Sequence, residues 1–216
     1  MTALVFTVQP EQICLAMDTL VVAADDNTPL CYQTKFIVLP HLNLVIAGTG
    51  LASLITGWFH FVNGSMVVRD IDHLNTFTPG SLRRAETECQ GTGLTTTTLY
   101  HFGYSTLEKR YVGYAYRSTK NWESDRLPDA LGLKPVVHVP PIDDIQFSQF
   151  LIDIVSEQRR QDLLLPLSER VGIGGDIQFV VLENGVVTVS TVHRFESYES
   201  EYKQMSEKVD ALPIEN

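Results

Sequence analysis

The sequence contains little cysteine. Its three cysteines, Cys14, Cys31 and Cys89, form no C-x-x-C pair, and the six histidines show no paired ligand spacing. Structural zinc sites and disulfide frameworks depend on such spacings. We therefore expect no metal, no cofactor and no disulfide framework. A reducing compartment follows as the default, and the cytoplasm is the predicted location.

Positive charge is also scarce. The chain has 16 Lys and Arg residues against 26 Asp and Glu, a formal net charge of −10. Nucleic acids and anionic lipids repel such a surface, so neither is expected as a partner. No basic segment precedes the first apolar residues, which argues against a secretory signal. With 216 residues, of which 44% are apolar, the sequence fits one globular domain.

Residues 36–68 contain no Lys, Arg, Asp or Glu. An uncharged stretch of this length is a candidate membrane span. However, Pro40, Asn43 and the glycines Gly48 and Gly50 interrupt it, and no basic cluster flanks it. We interpret the stretch as a buried strand followed by a buried helix at 51–62, and we expect no membrane insertion.

The rest of the chain alternates between hairpin and helix patterns. Helices are predicted at 51–62, near 81–89 and at 143–160, and strand pairs at 3–8 with 12–17, at 95–104 with 109–118, and on both sides of Asn184-Gly185. Hairpins imply antiparallel sheets. The sequence therefore predicts an α+β fold, a four-layer αββα sandwich of two antiparallel sheets. It forms a single domain over 1–216, with an irregular insertion at about 119–141 and a peripheral acidic tail at about 197–216.

Four residues near the start could carry chemistry, namely Thr2, Asp18, Lys35 and Gly48. An N-terminal threonine has its own α-amine, with an ordinary pKa of about 7.7–8.0, as a base beside the nucleophilic hydroxyl. A nearby lysine would lower the pKa of that amine, and an aspartate would orient the lysine. A backbone N–H at a glycine would stabilise an oxyanion. Each residue also has an ordinary structural explanation, so the hypothesis depends on their combination.

The first fifty residues resemble proteasome β-subunits and, more closely, the bacterial proteasome-like peptidase HslV. Thr2 precedes Asp18 by sixteen positions, as the nucleophile precedes the catalytic aspartate in that family, and the run I-x-L-A-M-D resembles its second strand. Lys35 falls within one residue of the family's lysine, and LVIAGTGLASLITGWF is similar to its strand, glycine and first helix. Near the end, VGIGGDIQFVVLENGVVTV is similar to the segment that enters the last hairpin of HslV.

The chain also departs from that family. No clear counterpart exists for its Gly-Ser-Gly turn, whose serine assists proton transfer. Arg170 and Ile173 align with the second Asp and Ser of the proteasome. The sequence begins with Met1, which must be removed before Thr2 has a free amine.

The resemblance implies an N-terminal-threonine hydrolase, a peptidase or amidase, that uses Thr2 as nucleophile, Asp18 and Lys35 to tune its amine and Gly48 to bind the oxyanion. It implies a peptide or amide substrate and a homo-oligomer, for which a ring is one form, and leaves open a regulatory ATPase partner. One alternative is an inactive proteasome-like scaffold or assembly subunit. A remote alternative is dinucleotide binding at Gly48-Thr49-Gly50-Leu51-Ala52-Ser53, with Asp70 twenty residues after Gly50.

Overall fold

The structure is a computed structural model that describes residues 2–23, 26–88, 96–139 and 147–210. The strands within these ranges are, in chain order, β1 (Leu4–Val8), β2 (Gln12–Asp18), β3 (Leu20–Val22), β4 (Pro29–Tyr32), β5 (Phe36–Leu39), β6 (Leu44–Thr49), β7 (Thr98–Ser105), β8 (Arg110–Arg117), β9 (Ser124–Arg126), β10 (Leu131–Lys134), β11 (Asp176–Glu183) and β12 (Val186–Arg194).

The described strands form three sheets. The first has the order β10-β1-β2-β11-β12, the second β5-β6-β7-β8-β9, and the third consists of β3 and β4. The pairings within each sheet are antiparallel. Tight turns produce this pattern. At Asn184-Gly185 both residues have positive φ, 49° and 76°, as a two-residue hairpin turn between twisted strands requires.

The helices within the described ranges are α1 (Ala52–Ser65), α2 (Ile71–Glu88), α3 (Phe147–Asp162) and α4 (Tyr198–Asp210), with short 3₁₀ turns at Pro40–Leu42, Ser118–Lys120 and Leu167–Glu169. The helix predicted at 51–62 is confirmed as α1. The one predicted near 81–89 is the C-terminal half of α2, a helix that contains Pro79 and is largely polar, features that hid its first half from the apolar pattern. Helix α3 confirms the third prediction from residue 147 onward, and the predicted start at 143–146 lies outside the described residues.

One apolar core lies between the two five-stranded sheets and contains aromatic residues from both. Phe6 of β1 packs against Phe102 of β7 with ring centroids 5.1 Å apart. A second core joins α1 and α2 to the second sheet, and a third joins α3 to the first sheet. Strands β5 and β6 and helix α1 account for most of the uncharged stretch, and the protein buries many of its apolar residues, while Phe61 and Val67 are exposed.

The search of the described residues for a helix with the length and apolarity of a membrane span found none.

The predicted fold class, a four-layer αββα sandwich of two antiparallel sheets, is wrong as stated. The described strands form three sheets, and the third, β3 with β4, packs against α4. Tyr32 at the end of β4 stacks on Tyr198 at the start of α4, with ring centroids 4.5 Å apart. In the sequence, the apolar run at 19–24 resembles the strand before it. This pattern does not indicate that the chain leaves the first sheet after Asp18 and starts a separate sheet at Leu20.

The segment at 119–141, predicted to be irregular, contains β9 and β10. Strand β9 extends the second sheet beside β8, and β10 extends the first sheet beside β1. Both strands are short and carry charged residues, which conceals them from a pattern of alternating apolar residues. Strand β10 places Lys134 opposite Leu4, two residues from Thr2.

Candidate active site

A pocket of about 430 Å³ opens where β6 ends and the chain begins. It is lined by segments from four parts of the chain: Thr2; residues 21–23, Asn27 and 33–35; Gly48, 50–52, Ile55, Thr56 and Phe59; and Ser168, Glu169, Arg170 and Val171. Three of the four predicted catalytic residues, Thr2, Lys35 and Gly48, are in this set. The fourth, Asp18, lies behind Lys35 at the end of β2.

Asp18 holds the centre of the site together. Its carboxylate accepts hydrogen bonds from Lys35 Nζ at 3.0 Å and 2.9 Å, from the Ala3 N–H at 2.9 Å and from the Gly174 N–H at 3.3 Å. Lys35 Nζ also donates to the Leu20 carbonyl at 2.6 Å. One carboxylate thus fixes the residue after Thr2, the lysine ammonium and the loop before β11.

This ion pair is shielded from water. The Asp18 side chain has no exposed surface, and that of Lys35 is 9% exposed. Burial raises the pKa of the Asp18 carboxyl, while the Lys35 ammonium and the N–H groups of Ala3 and Gly174 act in the opposite direction. The carboxylate therefore depends on these partners for its charged form.

Thr2 is 6% exposed and belongs to the pocket wall. The bond from the Ala3 N–H to Asp18 explains the sixteen-residue spacing. Strands β1 and β2 form a hairpin in which Leu4 pairs with Met17, so the residue before β1 returns to the end of β2. The spacing is thus a consequence of strand length and hairpin register.

Gly48 lies in β6 beside Leu99 and contributes to the pocket. A Cβ at this position would lie 2.7–2.9 Å from side-chain atoms of Ile55. The missing side chain therefore lets α1 pack closely on β6, a structural role that exists whether or not the Gly48 backbone binds an oxyanion. Two residues later, Gly50 has a φ of +117°, and its Leu51 neighbour donates its N–H to Thr97 Oγ1 at 3.0 Å.

The sequence did not identify the loop after α3 as part of the site. Asp162 at the end of α3 accepts hydrogen bonds from the N–H groups of Val171 at 2.6 Å and Gly172 at 3.0 Å. Arg170 lines the pocket while its guanidinium donates to the carbonyls of Leu165 and Leu163. The sequence signal for this loop was the glycine-rich run V-G-I-G-G at 171–175. Its Gly172 and Gly175 adopt a positive φ near +75°, a conformation that favours glycine.

The glycine-rich segment at 48–53 is not in the setting of a dinucleotide site. Such a site requires a parallel βαβ unit, whereas β6 is antiparallel to both β5 and β7. Asp70, the acidic residue of that alternative, immediately precedes α2, where it accepts the His73 N–H at 2.8 Å and a hydrogen bond from Thr106. The dinucleotide alternative therefore has no structural support.

Among the described residues, no group of three or more His, Cys, Asp or Glu side chains is arranged to hold a metal ion.

The fold is proteasome-related. Two solved structures share it: a Gly-1 mutant of Anbu from Hyphomicrobium sp. strain MC1, and Anbu (ancestral beta-subunit) from Yersinia bercovieri. The first matches with a TM-score of 0.53 at 15% identity, covering 97% of this chain and 95% of that chain. The second matches with a TM-score of 0.62 at 10% identity, covering 99% of this chain and 98% of that chain.

No protein-family model and no curated protein matches the sequence. At 10% and 15% identity, the structural likeness shows the fold alone. The expectation that the chain stands closest to proteasome β-subunits and HslV is therefore wrong: these matches are to Anbu and establish a proteasome-related fold at most. The spacing from Thr2 to Asp18 was misleading because the register of the first hairpin determines it. The spacing is therefore a property of the fold and does not identify a family within that fold.

Proposed function

We propose that this chain, once Met1 is removed, is an N-terminal-threonine amidohydrolase that cleaves peptide or small amide bonds. The observation that carries the proposal is the double role of Asp18, which binds both the Lys35 ammonium and the Ala3 N–H. This arrangement holds the start of the chain beside a fixed cation at the wall of a pocket. A threonine that served only to start a strand would need neither the fixed cation nor the pocket.

The chemistry follows from the groups present. The neutral α-amine of Thr2 accepts the hydroxyl proton while Oγ attacks the substrate carbonyl carbon. The resulting oxyanion collapses, the C–N bond breaks, and the leaving amine takes the proton. Water then attacks the Thr2 ester while the α-amine accepts its proton. The bond from the carbonyl carbon to Oγ breaks, Oγ takes the proton back from the amine, and the acid product leaves. Lys35 contributes by favouring the neutral amine, since two adjacent cations repel each other.

The pocket favours an uncharged side chain beside the scissile bond. Its wall includes the apolar side chains of Val22, Ala52, Ile55, Phe59 and Val171. Substrate binding at such a wall gains roughly 25 cal/mol per Å² of apolar surface removed from water.

We place this activity in the cytoplasm, which remains a prediction from cysteine usage.

A covalent label provides the test. Protein whose intact mass shows that it begins at Thr2 is treated with a β-lactone that acylates threonine hydroxyls. We expect a mass increase of one reagent, located in the N-terminal peptide. Protein that retains Met1 is the matched control and is expected to remain unlabelled, because its Thr2 nitrogen is an amide and cannot act as a base. Processed protein that gains no label would contradict the proposal and favour the inactive scaffold.

We also propose that the chain works as a homo-oligomer. On α1, Trp58 is 3% exposed whereas Phe61 is 41% exposed, and in the loop after α3 Leu164 is 73% exposed. Apolar side chains of this size on two surfaces are suited to subunit contacts. One of the two Anbu structures is described as an ancestral beta-subunit. Light scattering at micromolar concentration should give a multiple of 24.2 kDa, and a monomer would contradict the proposal.

A further inference from the structure

Lys134 ends β10 and lies directly opposite Leu4 of β1. Residues opposite each other in an antiparallel pair project to the same face of the sheet. Leu4 belongs to the core between the sheets, whereas Val5 and its partner Leu133 contact the core under α3. The Lys134 side chain therefore projects into the space between the two five-stranded sheets.

The Lys134 side chain crosses that space. Its Nζ donates to Thr98 Oγ1 at 2.9 Å, and Thr98 begins β7 in the second sheet. Thr98 pairs with Thr49 of β6, and the residues that follow Thr49, Gly50 and Leu51, line the pocket. The ammonium thus lies at the end of the core where the Thr2 pocket opens.

Thr2 is on the same side. Ala3 contacts the core under α3, and Leu4 contacts the core between the sheets, so alternation along the chain directs Thr2 inward like Leu4. If the β1–β10 register is continued, Lys134 is a diagonal neighbour of Thr2, and such pairs are about 7–8 Å apart, within reach of a long side chain. Lys35, just before β5, lines the pocket with Thr2, and Lys134 at the end of β10 is directed toward the same end of the core.

The two lysines differ in how their charge is balanced. Lys35 forms a buried ion pair with Asp18, so their combined charge is near zero. No carboxylate lies within ion-pair distance of Lys134 among the residues that the structure describes. Burial lowers the pKa of Lys134, and the nearby Arg117 guanidinium lowers it further.

We propose that Lys134 is a positioning residue of this site, whose ammonium acts together with Lys35 to keep the α-amine of processed Thr2 in its neutral, proton-accepting form. This inference rests on the proposed function, and it adds a second cation to Lys35, whose own effect on the amine is reduced by the Asp18 carboxylate. The other charged or titratable groups facing this end of the site are the Asp18–Lys35 pair, Arg117 with its partner Asp125, Tyr100 on β7, and Glu169 and Arg170 of the loop after α3.

The test measures the α-amine directly. Protein that begins at Thr2 is labelled with trace acetic anhydride from pH 5 to 10, and mass spectrometry of the N-terminal peptide gives the pKa of the amine. A unit charge about 7 Å away, at an effective dielectric constant of about 20–40, shifts a pKa by about 1. We expect Lys134→Met and Lys134→Gln each to raise the pKa of the amine by about that amount. Its labelling at pH 7 should fall several-fold.

Two variants serve as matched controls. Lys134→Arg keeps the charge and should leave the amine's pKa unchanged, which a purely structural role of the lysine would not predict. Lys203→Met removes the same charge from an exposed site on α4, where the side chain is 76% exposed, and should also cause no shift. A change below about 0.3 in both Lys134→Met and Lys134→Gln, or an equal change in Lys134→Arg, would overturn the proposal.

The labelling does not require hydrolysis, so the two proposals fail separately. If turnover depends on Thr2 but the pKa of the α-amine is the same in the Lys134 variants, the role of Lys134 is refuted and the hydrolase proposal stands. If the pKa of the amine shifts in a protein that hydrolyses no substrate, the electrostatic effect of Lys134 is established and the hydrolase proposal is refuted. Where turnover is present, the acid limb of its pH profile should move to higher pH in Lys134→Met, by the same amount as the pKa of the α-amine.

Discussion

Replacing Thr2 with alanine is expected to abolish hydrolysis by the processed protein, with a loss of at least about 10³-fold in kcat. Alanine is still small enough for removal of Met1, so the α-amine remains while the nucleophilic oxygen is lost. Thr2→Ser keeps an oxygen in place and should retain measurable turnover. The assay follows release of a fluorophore from short peptide amides with apolar side chains, using protein confirmed by intact mass.

Thr87→Ala provides the control, because Thr87 is an exposed residue of α2 whose hydroxyl bonds only to Arg83 O of its own helix in the described contacts. Its turnover should equal that of the wild type. Equal turnover in Thr2→Ala and wild type would show that any hydrolysis observed comes from another group or from a contaminant, and the hydrolase proposal would fail.

Lys35→Met is expected to lower the free energy of unfolding by about 3–5 kcal/mol. The substitution keeps the aliphatic length of the side chain but leaves the buried Asp18 carboxylate without its ammonium partner. The cost is this large because the Lys35 side chain is 9% exposed and the carboxylate it bonds is fully buried.

The effect should depend on pH. Burial already raises the pKa of Asp18, and loss of Lys35 removes the first of the effects that oppose it. The folded variant therefore holds a proton on Asp18 at pH values where the unfolded chain, with a pKa of about 3.9, does not. Its stability should rise relative to wild type as pH falls from neutral toward about 4. Urea unfolding at pH 7, 5.5 and 4.5 measures this change, and a pH-independent deficit would contradict it.

A double-mutant cycle separates the pair from its surroundings. In an Asp18→Asn background, Lys35→Met should cost less than about 1 kcal/mol, because no buried carboxylate is left unpaired. The exposed Lys203–Glu207 pair of α4, with side chains 76% and 66% exposed, is the matched control. Surface pairs of this kind contribute less than about 1 kcal/mol. Additive losses at Asp18 and Lys35 would show that the two side chains do not interact as the structure has them.

The sequence by itself determined the local features of this protein. Antiparallel hairpins follow from short strand patterns separated by turn residues, as at Asn184-Gly185, and α1 follows from apolar residues at helical spacing. The position of Asp18 beside the start of the chain also follows from the sequence, because the length and register of one hairpin bring the ends of β1 and β2 together. Such features depend on residues that are close in the chain.

Only the tertiary structure decided the rest. Contacts between residues far apart in the sequence position the third sheet and strand β10. Tyr32 of the third sheet stacks on Tyr198 of α4, and β10 pairs with β1. The Gly174 N–H, in the loop before β11, bonds to Asp18 in the same way. Lys134 is the clearest case: in the sequence it is a charged residue before a proline, and the β1–β10 register directs it into the space between the two five-stranded sheets. Strand β10 pairs with β1 across more than a hundred residues. The pattern within a strand indicates which of its faces is buried, but it does not identify the partner, because the hydrogen bonds of a sheet form between backbone groups that nearly every residue carries.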